Sequence, residues 1–330
     1  MNTLLFPLIR RLNDQRFHSG EDLAAEYSVS RGTVNNLIQQ AKEMGLEIHA
    51  VRGRGYRLAR TCEWLDTDAL RKRLARSHKP LKVEVVEEID STNSRLLDQL
   101  RLGDPPSVLC AEYQTGGRGR RGREWAAAPA GSLIFSLSWR FERPVGELGG
   151  LSLASGLALV RALSRHTRHT LQLKWPNDIL SGFRKLAGVL VEIQGEASGP
   201  SGAVIGVGVN LLLPKALRSD IGQGVVDMDE LGRSTDRTSM LADCLDELIP
   251  MMTRFDQAGF SPMAKEWSRW HAYQNKEVNL MLPGGKREIG RVEGVDASGA
   301  LLINQGSGPL QRYSSGEVSL RPHHARRAAR

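Results

Sequence analysis

Apolar positions in the first sixty residues recur with a helical period. Leu23, Ala24 and Tyr27 follow Ser19 at helical spacing, and Asp22 stands three residues after that serine, as in a capping box. Ser28, Val29 and Ser30 break the run. Ser30 is a second N-cap candidate; Val34, Leu37, Ile38 and Ala41 mark one apolar face, and Gly45 is a C-cap. Short helices across such a break have helix-turn-helix geometry. The polar face of the second helix carries Arg31, Thr33, Asn35, Asn36, Gln39 and Gln40, side chains able to bond base edges. LEIHAVRGRGYRLAR (46–60) reads as a β-hairpin with Arg52 and Arg54 at its tip, a basic wing. A solvated polar face on a small helical domain is the plain alternative, but turn, polar face and wing together favour DNA.

Residues 61–80 are charged and lack strong periodicity. LKVEVVEEID (81–90) alternates like a strand, and further strands are read at VLCAEYQ (108–114), SLIFSLSWRF (132–141), LQLKW (171–175), KLAGVLVEIQ (185–194) and AVIGVGVNLLL (203–213). Helical patterns cover 151–166, 238–258 and 262–271, so the block from 81 to about 270 predicts one α+β domain. The segments EVNLML, EIGRVEGVD, ALLINQ and PLQRYSS, with LPGG and DASG as turns, predict four short strands closing a small barrel. PHHARRAAR (322–330) reads as a basic, disordered tail.

Composition narrows the setting. The chain has 330 residues, 40% of them apolar, enough for a sizeable core. A formal net charge of +8 makes a polyanion a plausible partner. Cys62, Cys110 and Cys244 are odd in number and far apart, which suggests neither a disulfide framework nor a cysteine zinc site. There is no signal-like apolar segment, and the stretch LSLASGLALV (151–160) falls well short of a membrane span of about 20 residues. A cytoplasmic protein without membrane contact is expected.

GRGRRG (117–122) satisfies the dinucleotide pattern G-x-G-x-x-G. That pattern works only on a strand-to-helix turn, with a helix crossing to the next strand. Here nine residues, REWAAAPAG, separate Gly122 from the strand near Ser132, and they include Pro129 and Gly131. A crossover helix takes roughly ten to twelve residues, so the dinucleotide reading fails. What remains is a glycine-rich loop carrying Arg118, Arg120, Arg121 and Arg123: either a solvated basic loop, or one that orders around a phosphoryl group.

The neighbouring motifs bear on that choice. STNSRL (91–96), EYQTGGRGRRGREW (112–125), KWPNDIL (174–180), KLAGVLVE (185–192) and IGVGVN (205–210) occur in the order and spacing of biotin–protein ligases. With the DNA-binding N-terminus and the C-terminal barrel, the chain from about residue 4 to 321 resembles their bifunctional ligase and repressor type. The resemblance implies a winged helix-turn-helix over 1–62, a class II synthetase-like catalytic domain over 63–273, an SH3-like barrel over 274–322 and a tail over 323–330.

It also implies a reaction. Biotin and ATP, with Mg2+, give biotinyl-5′-adenylate; the biotinyl group then passes to a lysine of the biotin carboxyl carrier protein of acetyl-CoA carboxylase. Ser91, Thr92, Asn93, Gln114, Gly119 and Gly188 match biotin contacts, although Ser-Thr-Asn alone reads equally well as a helix N-cap. Lys185, Arg118 and Arg120 match groups that neutralise the reacting anions. Arg121, Trp125, Asn177, Asn210 and Arg321 match nucleotide contacts; Asp178 would place Mg2+ or fix the KWPND turn. The adenylate would also act as corepressor for a homodimer on the operator of biotin biosynthetic genes, read through Ser30, Arg31, Thr33, Asn35, Asn36, Gln39, Arg52 and Arg54. Two rivals are a lipoate-type acyl–protein ligase and a biotin-sensing regulator without ligase activity.

Overall fold

The computed structural model describes residues 3–77, 80–196, 198–220, 224–233, 235–282, 286–306, 308–314 and 319–322. The basic tail expected at 323–330 lies outside the described residues.

Helices α1 (Leu5–Arg11), α2 (Gly20–Glu26) and α3 (Arg31–Glu43) form the N-terminal unit with strands β1 (Ile48–Val51) and β2 (Gly55–Leu58). Both predicted caps are made: Ser19 Oγ accepts from Asp22 N, and Ser30 Oγ from Thr33 N, each at 3.0 Å. The apolar face of α3 packs with Leu8, Ile9 and Leu23 into a small separate core. β1 and β2 pair antiparallel, Val51 opposite Gly55, and present residues 52–54 as the wing tip.

Residues 61–80 depart from the expectation. α4 (Thr67–Ser77) is a helix that buries Leu70 and Leu74 against the main core. Two apolar positions one helical turn apart among many charges give too weak a period to read in sequence.

The central region builds one sheet from β3 (Lys82–Ile89), β4 (Ser107–Gln114), β5 (Ser132–Phe141), β6 (Leu171–Lys174), β7 (Asp178–Ser181), β8 (Arg184–Gly195) and β9 (Ser201–Asn210). Its order is β3-β4-β5-β9-β8-β7-β6, parallel between β3 and β4 and antiparallel elsewhere. β7 was absent from the sequence expectation; it turns back from β6 through the cis Trp175–Pro176 peptide. α6 (Leu151–Ser164) and α8 (Arg237–Ala258) cover one face of the sheet, while α5 (Thr92–Gln99) covers part of the other; α7 (Lys215–Asp220) and α9 (Ala264–Trp270) lie in connections. Strand alternation sorts the faces. Phe135, Leu137, Ile205, Val207 and Val209 enter the main core, while Leu109 and Val204 meet Leu96 of α5.

Among the described residues the C-terminal unit has five strands where four were expected: β10 (Glu277–Met281), β11 (Arg287–Val295), β12 (Leu301–Asn304), β13 (Gln311–Tyr313) and β14 (Ser319–Pro322). They form an SH3-like sheet in the order β13-β12-β11-β10-β14, with no closed barrel among the described residues. The unit is fastened to the central domain where Trp175 Nε1 donates to Gly299 O at 3.1 Å.

His271, 4% exposed, is packed between Trp267 and Tyr273 beside Trp175. Burial, with a smaller contribution from the charge of Lys276, lowers its pKa from 6.5 to about 3. The unfolded chain therefore takes up a proton below about pH 6.5 that the folded chain refuses, and stability is lost as pH falls. Chemical denaturation of the parent should show this loss between about pH 6 and 4, with His271 contributing up to about 1.4 kcal/mol per pH unit. His271→Asn should flatten the profile by that amount, and an unchanged slope would refute the assignment.

Candidate active site

Opposite α6 and α8, β9 carries glycine where its core face carries valine. A Cβ on Gly206 would stand 2.2 Å from Asn93 Oδ1, and one on Gly208 2.4 Å from Trp125 Cε2. The missing side chains seat the Asn93 amide and the Trp125 ring against the sheet, and a cleft lies between the sheet, the N-terminus of α5 and the arginine-rich loop.

At one wall α5 begins with a closed set of polar side chains. Ser91 Oγ accepts from Ser94 N at 3.3 Å, so the N-cap reading holds for that residue. Gln114 Oε1 accepts from Thr92 N at 2.8 Å and from Thr92 Oγ1 at 3.0 Å. Ser136 Oγ lies 2.7 Å from Thr92 Oγ1 and donates to Asn93 Oδ1 at 2.6 Å. Asn93 Nδ2 donates to Glu192 Oε2 at 2.9 Å. Ser136 and Glu192 were missed in the sequence. Their signal was an uncompensated polar residue within an apolar strand, and nothing local distinguishes it from a solvated strand position.

The same cleft holds cations, and two of them, Lys185 and Arg118, are paired with internal carboxylates. Lys185 Nζ meets Asp178 Oδ1 at 2.7 Å and lies 5.5 Å from the Trp125 ring centroid. Arg118 Nη2 donates to Glu192 Oε2 at 2.8 Å, the oxygen that also accepts from Asn93. The Arg120 pKa is lowered by burial and by the charge of Arg121, and raised by Asp178. The backbone of Lys185 is held from outside the cleft: its N–H donates to Gly224 O at 2.8 Å, and its carbonyl accepts from Val226 N at 3.0 Å.

The loop itself is a compact hairpin. Trp125 N donates to Gly117 O at 2.9 Å and Gly119 N to Arg123 O at 2.7 Å, with a single 3-10 turn over Arg120–Gly122. Arg121 takes a left-handed φ of 58° there. No crossover helix exists between Gly122 and Ser132, in agreement with the rejection of a dinucleotide fold.

Thus the structure gathers Ser91, Thr92, Asn93, Gln114, Arg118, Gly119, Arg120, Trp125, Asn177, Lys185 and Gly188 around one cleft, with Asp178 beside it. Trp125 lies across the floor, its indole N–H buried without a hydrogen-bond partner among the described residues. Asn177 is pinned to β8, donating through Nδ2 to Val189 O at 2.8 Å. Asn210 lies behind the cleft lining, 3% exposed, its amide donating to Lys185 O at 3.3 Å and Val226 O at 3.1 Å. Arg321 belongs to β14, paired by backbone with Asn279; its side chain lies outside the described residues.

On the N-terminal unit, Arg31, Asn35, Asn36 and Gln39 are exposed along one side of α3. Thr33 is half-buried with its hydroxyl 3.0 Å from the capping Ser30. Arg52 is exposed at the wing tip, and Arg54 stacks 4.4 Å above Phe17.

Three family models match this chain: an HTH domain over 5–57, the biotin/lipoate A/B protein ligase family over 85–210, and the biotin protein ligase C terminal domain over 274–321. The bifunctional ligase/repressor BirA of Salmonella typhimurium is 36% identical, covering 97% of this chain and 98% of its own. That of Escherichia coli is 35% identical over the same shares. The chain belongs to the biotin–protein ligases. The structure of biotin protein ligase from Aquifex aeolicus in complex with biotin and ATP matches 73% of this chain and 99% of that one, with a TM-score of 0.61 and 28% identity. In this biotin–protein ligase the central match spans β9 with its two open glycines.

Gly208→Ala places a methyl where the Trp125 ring lies and should drive the indole off the cleft floor. Acrylamide quenching of tryptophan emission should rise relative to the parent, and the increase should vanish in a Trp125→Phe background. Equal quenching with Trp125 present would show that the ring does not rest on Gly208.

Proposed function

We propose that this cleft joins biotin to AMP and delivers the biotinyl group to a protein lysine, as a ligase that also represses transcription. The supporting observation is the junction of the Ser91–Thr92–Asn93–Gln114 network with Lys185, Arg118 and Arg120 around one floor. The network's hydroxyls and amides suit a neutral ureido ring that both donates and accepts; lipoate offers no such group. Glycines 206 and 208 let the Asn93 amide and the Trp125 ring lie directly against the sheet, which places both groups at the cleft.

In the first step a biotin carboxylate oxygen attacks the α-phosphorus of ATP, and the bond to pyrophosphate breaks. Two anions must meet, and Lys185, Arg118 and Arg120 offset that repulsion. Arg118 must then exchange Glu192 for the ligand, so the cation is kept neutralised until an anion arrives. In the second step the lysine amine of the carrier protein attacks the acyl carbon, AMP leaves, and the amine loses its proton. No enzyme nucleophile is required.

Trp125 and Arg121 are assigned to the adenylate. Asn177 and Asn210 would shape its site by fixing β8 and the Lys185 backbone, and Arg321 as a nucleotide contact rests on the resemblance alone. Among the described residues no three metal-binding side chains stand together. Asp178, a single carboxylate at the cleft that pairs with Lys185, would be the residue to hold a Mg2+ ion, and the ion would offset phosphate charge.

The assigned division is 1–62 for DNA binding, 63–273 for catalysis, 274–322 for the SH3-like unit and 323–330 for the tail. Among the described residues no helix is long and apolar enough to cross a membrane. A cytoplasmic setting, the carrier protein of acetyl-CoA carboxylase, and a homodimer on biotin-gene operators complete the reading. Since a lone helix-turn-helix reads few base pairs, paired half-sites call for a dimer.

Lys185→Ala should lower biotinyl-adenylate formation by at least ~10²-fold, the loss expected for one preorganised charge. A folded variant that forms adenylate at the parent rate would remove Lys185 from the chemistry. A non-hydrolysable biotinyl-adenylate analogue, without ATP, should promote both dimerisation and operator binding, with a coupling of about 1–3 kcal/mol. Sedimentation and operator titrations that do not change with the analogue would separate the two activities.

A further inference from the structure

Residues 62–65 connect the DNA-binding unit to the catalytic domain, and successive residues are held from opposite sides. Asn13 holds Cys62: its Nδ2 donates to Cys62 O at 2.9 Å, and its Oδ1 accepts from Cys62 N at 2.6 Å. Trp64 packs edge-to-face on Phe6 at 6.1 Å, with Arg10 4.3 Å over its ring. Asn13, Phe6 and Arg10 all belong to the N-terminal unit. Glu63 instead forms a two-pronged pair with Arg233, both contacts at 2.7 Å, and its carbonyl accepts from Arg237 Nη1 at 3.2 Å. Leu65 N donates to Glu112 Oε1 at 2.8 Å. Even residues thus grip the DNA-binding unit and odd residues the catalytic domain, the two-fold alternation of extended chain.

The catalytic side of this joint is also the base of the arginine-rich loop. Glu112 and Arg237 form an ion pair in which both side chains are 1% exposed. Glu112 lies on β4 two residues before Gln114, and its carbonyl accepts from Ala130 N at 3.1 Å where the loop returns. Arg237 Nη2 donates to Ser132 O at 2.8 Å, the first residue of β5. Arg233 donates through its backbone to Met228 O, and Met228 N to Asn210 O, both at 3.0 Å, so the Glu63 partner lies on the segment that braces Asn210 and Lys185.

We infer that residues 62–65 are the joint through which the state of the cleft reaches the DNA-binding unit, and that Arg237 is a positioning residue holding both stems of the arginine-rich loop against that joint. The physical basis is shared partners. Any shift of the loop stems or of residues 224–233 as the cleft takes up its ligand alters what Arg237, Glu112 and Arg233 offer Glu63 and Leu65. Because adjacent linker residues are fixed to the other unit, the shift is transmitted rather than absorbed. This rests on the repressor reading above.

The test uses the full chain and a DNA duplex selected for binding by the analogue-loaded parent. Trp64→Ala and Asn13→Ala touch only the DNA-binding face of the joint. Each should keep adenylate formation within about two-fold of the parent, because neither residue meets the cleft. Each should also cut the analogue-induced tightening of DNA binding by at least ~5-fold. Arg237→Lys keeps the charge beside Glu112 but loses the fork that reaches Glu63 and Ser132. It should raise the biotin KM by about ten-fold with a smaller change in kcat, and lose the tightening as well. A purely structural arginine would lower the melting temperature and leave the KM and the tightening as in the parent; that result, or parent tightening in both face variants, would overturn the inference. A parent whose DNA affinity ignores the analogue would instead overturn the repressor reading beneath it.

Discussion

Two full charges, Glu112 and Arg237, lie out of water where β4, β5, α8 and the interdomain linker meet. Burial of an ion costs on the order of several kcal/mol unless excellent partners replace its hydration. Here the partners come from four separate segments: Leu65 N and Glu63 O from the linker, Ser132 O from β5, and the ions themselves from β4 and α8. None of these segments can move far without leaving a buried charge short of a partner. The arrangement therefore fixes the distance between the stems of the arginine-rich loop and the point where the DNA-binding unit is attached.

The sheet anchored this way has two chemically different faces. Toward α6 and α8 it presents a continuous aliphatic core with Phe135, Ile205 and Val207. On the other face, glycine and serine at alternate positions of β9 and β5 leave a floor with little side-chain bulk. A cleft exists because the strands alternate, and it is polar because α5 delivers its first turn there. The cations facing that floor are neutralised internally, Lys185 by Asp178 and Arg118 by Glu192. Such pairing keeps like charges from repelling each other while leaving them available to a stronger anion.

Much of this could be read along the chain. The capped helices α2 and α3 and the wing followed from cap residues and apolar period, because those signals are local. The strand at 81–90 followed from alternation and the other long strands from their apolar runs, and the absence of a helix after Gly122 followed from counting residues. The short or highly charged elements α4, β7 and β14 were not legible, since two or three apolar positions carry no period of their own. They form because the rest of the sheet and core offers them a place. Motif order brought Ser91, Thr92, Gln114, Arg118, Arg120 and Lys185 forward as site residues, and the fold brings them around one cleft. Ser136 and Glu192 stayed hidden because their importance lies in partners 43 and 99 residues away at Asn93, and 74 residues away at Arg118.

What the sequence by itself determined was the inventory and the local geometry: which residues cap, which face inward, and which cations share a glycine-rich loop. These depend on neighbours a few positions apart, and the chain states them directly. Only the tertiary structure decided which charges neutralise one another, that Trp125 lies across the floor while Asn210 sits behind it, and that residues 62–65 are gripped from both sides. Those outcomes depend on distances between segments far apart in sequence, and such distances exist only once the sheet has closed around its buried ion pair.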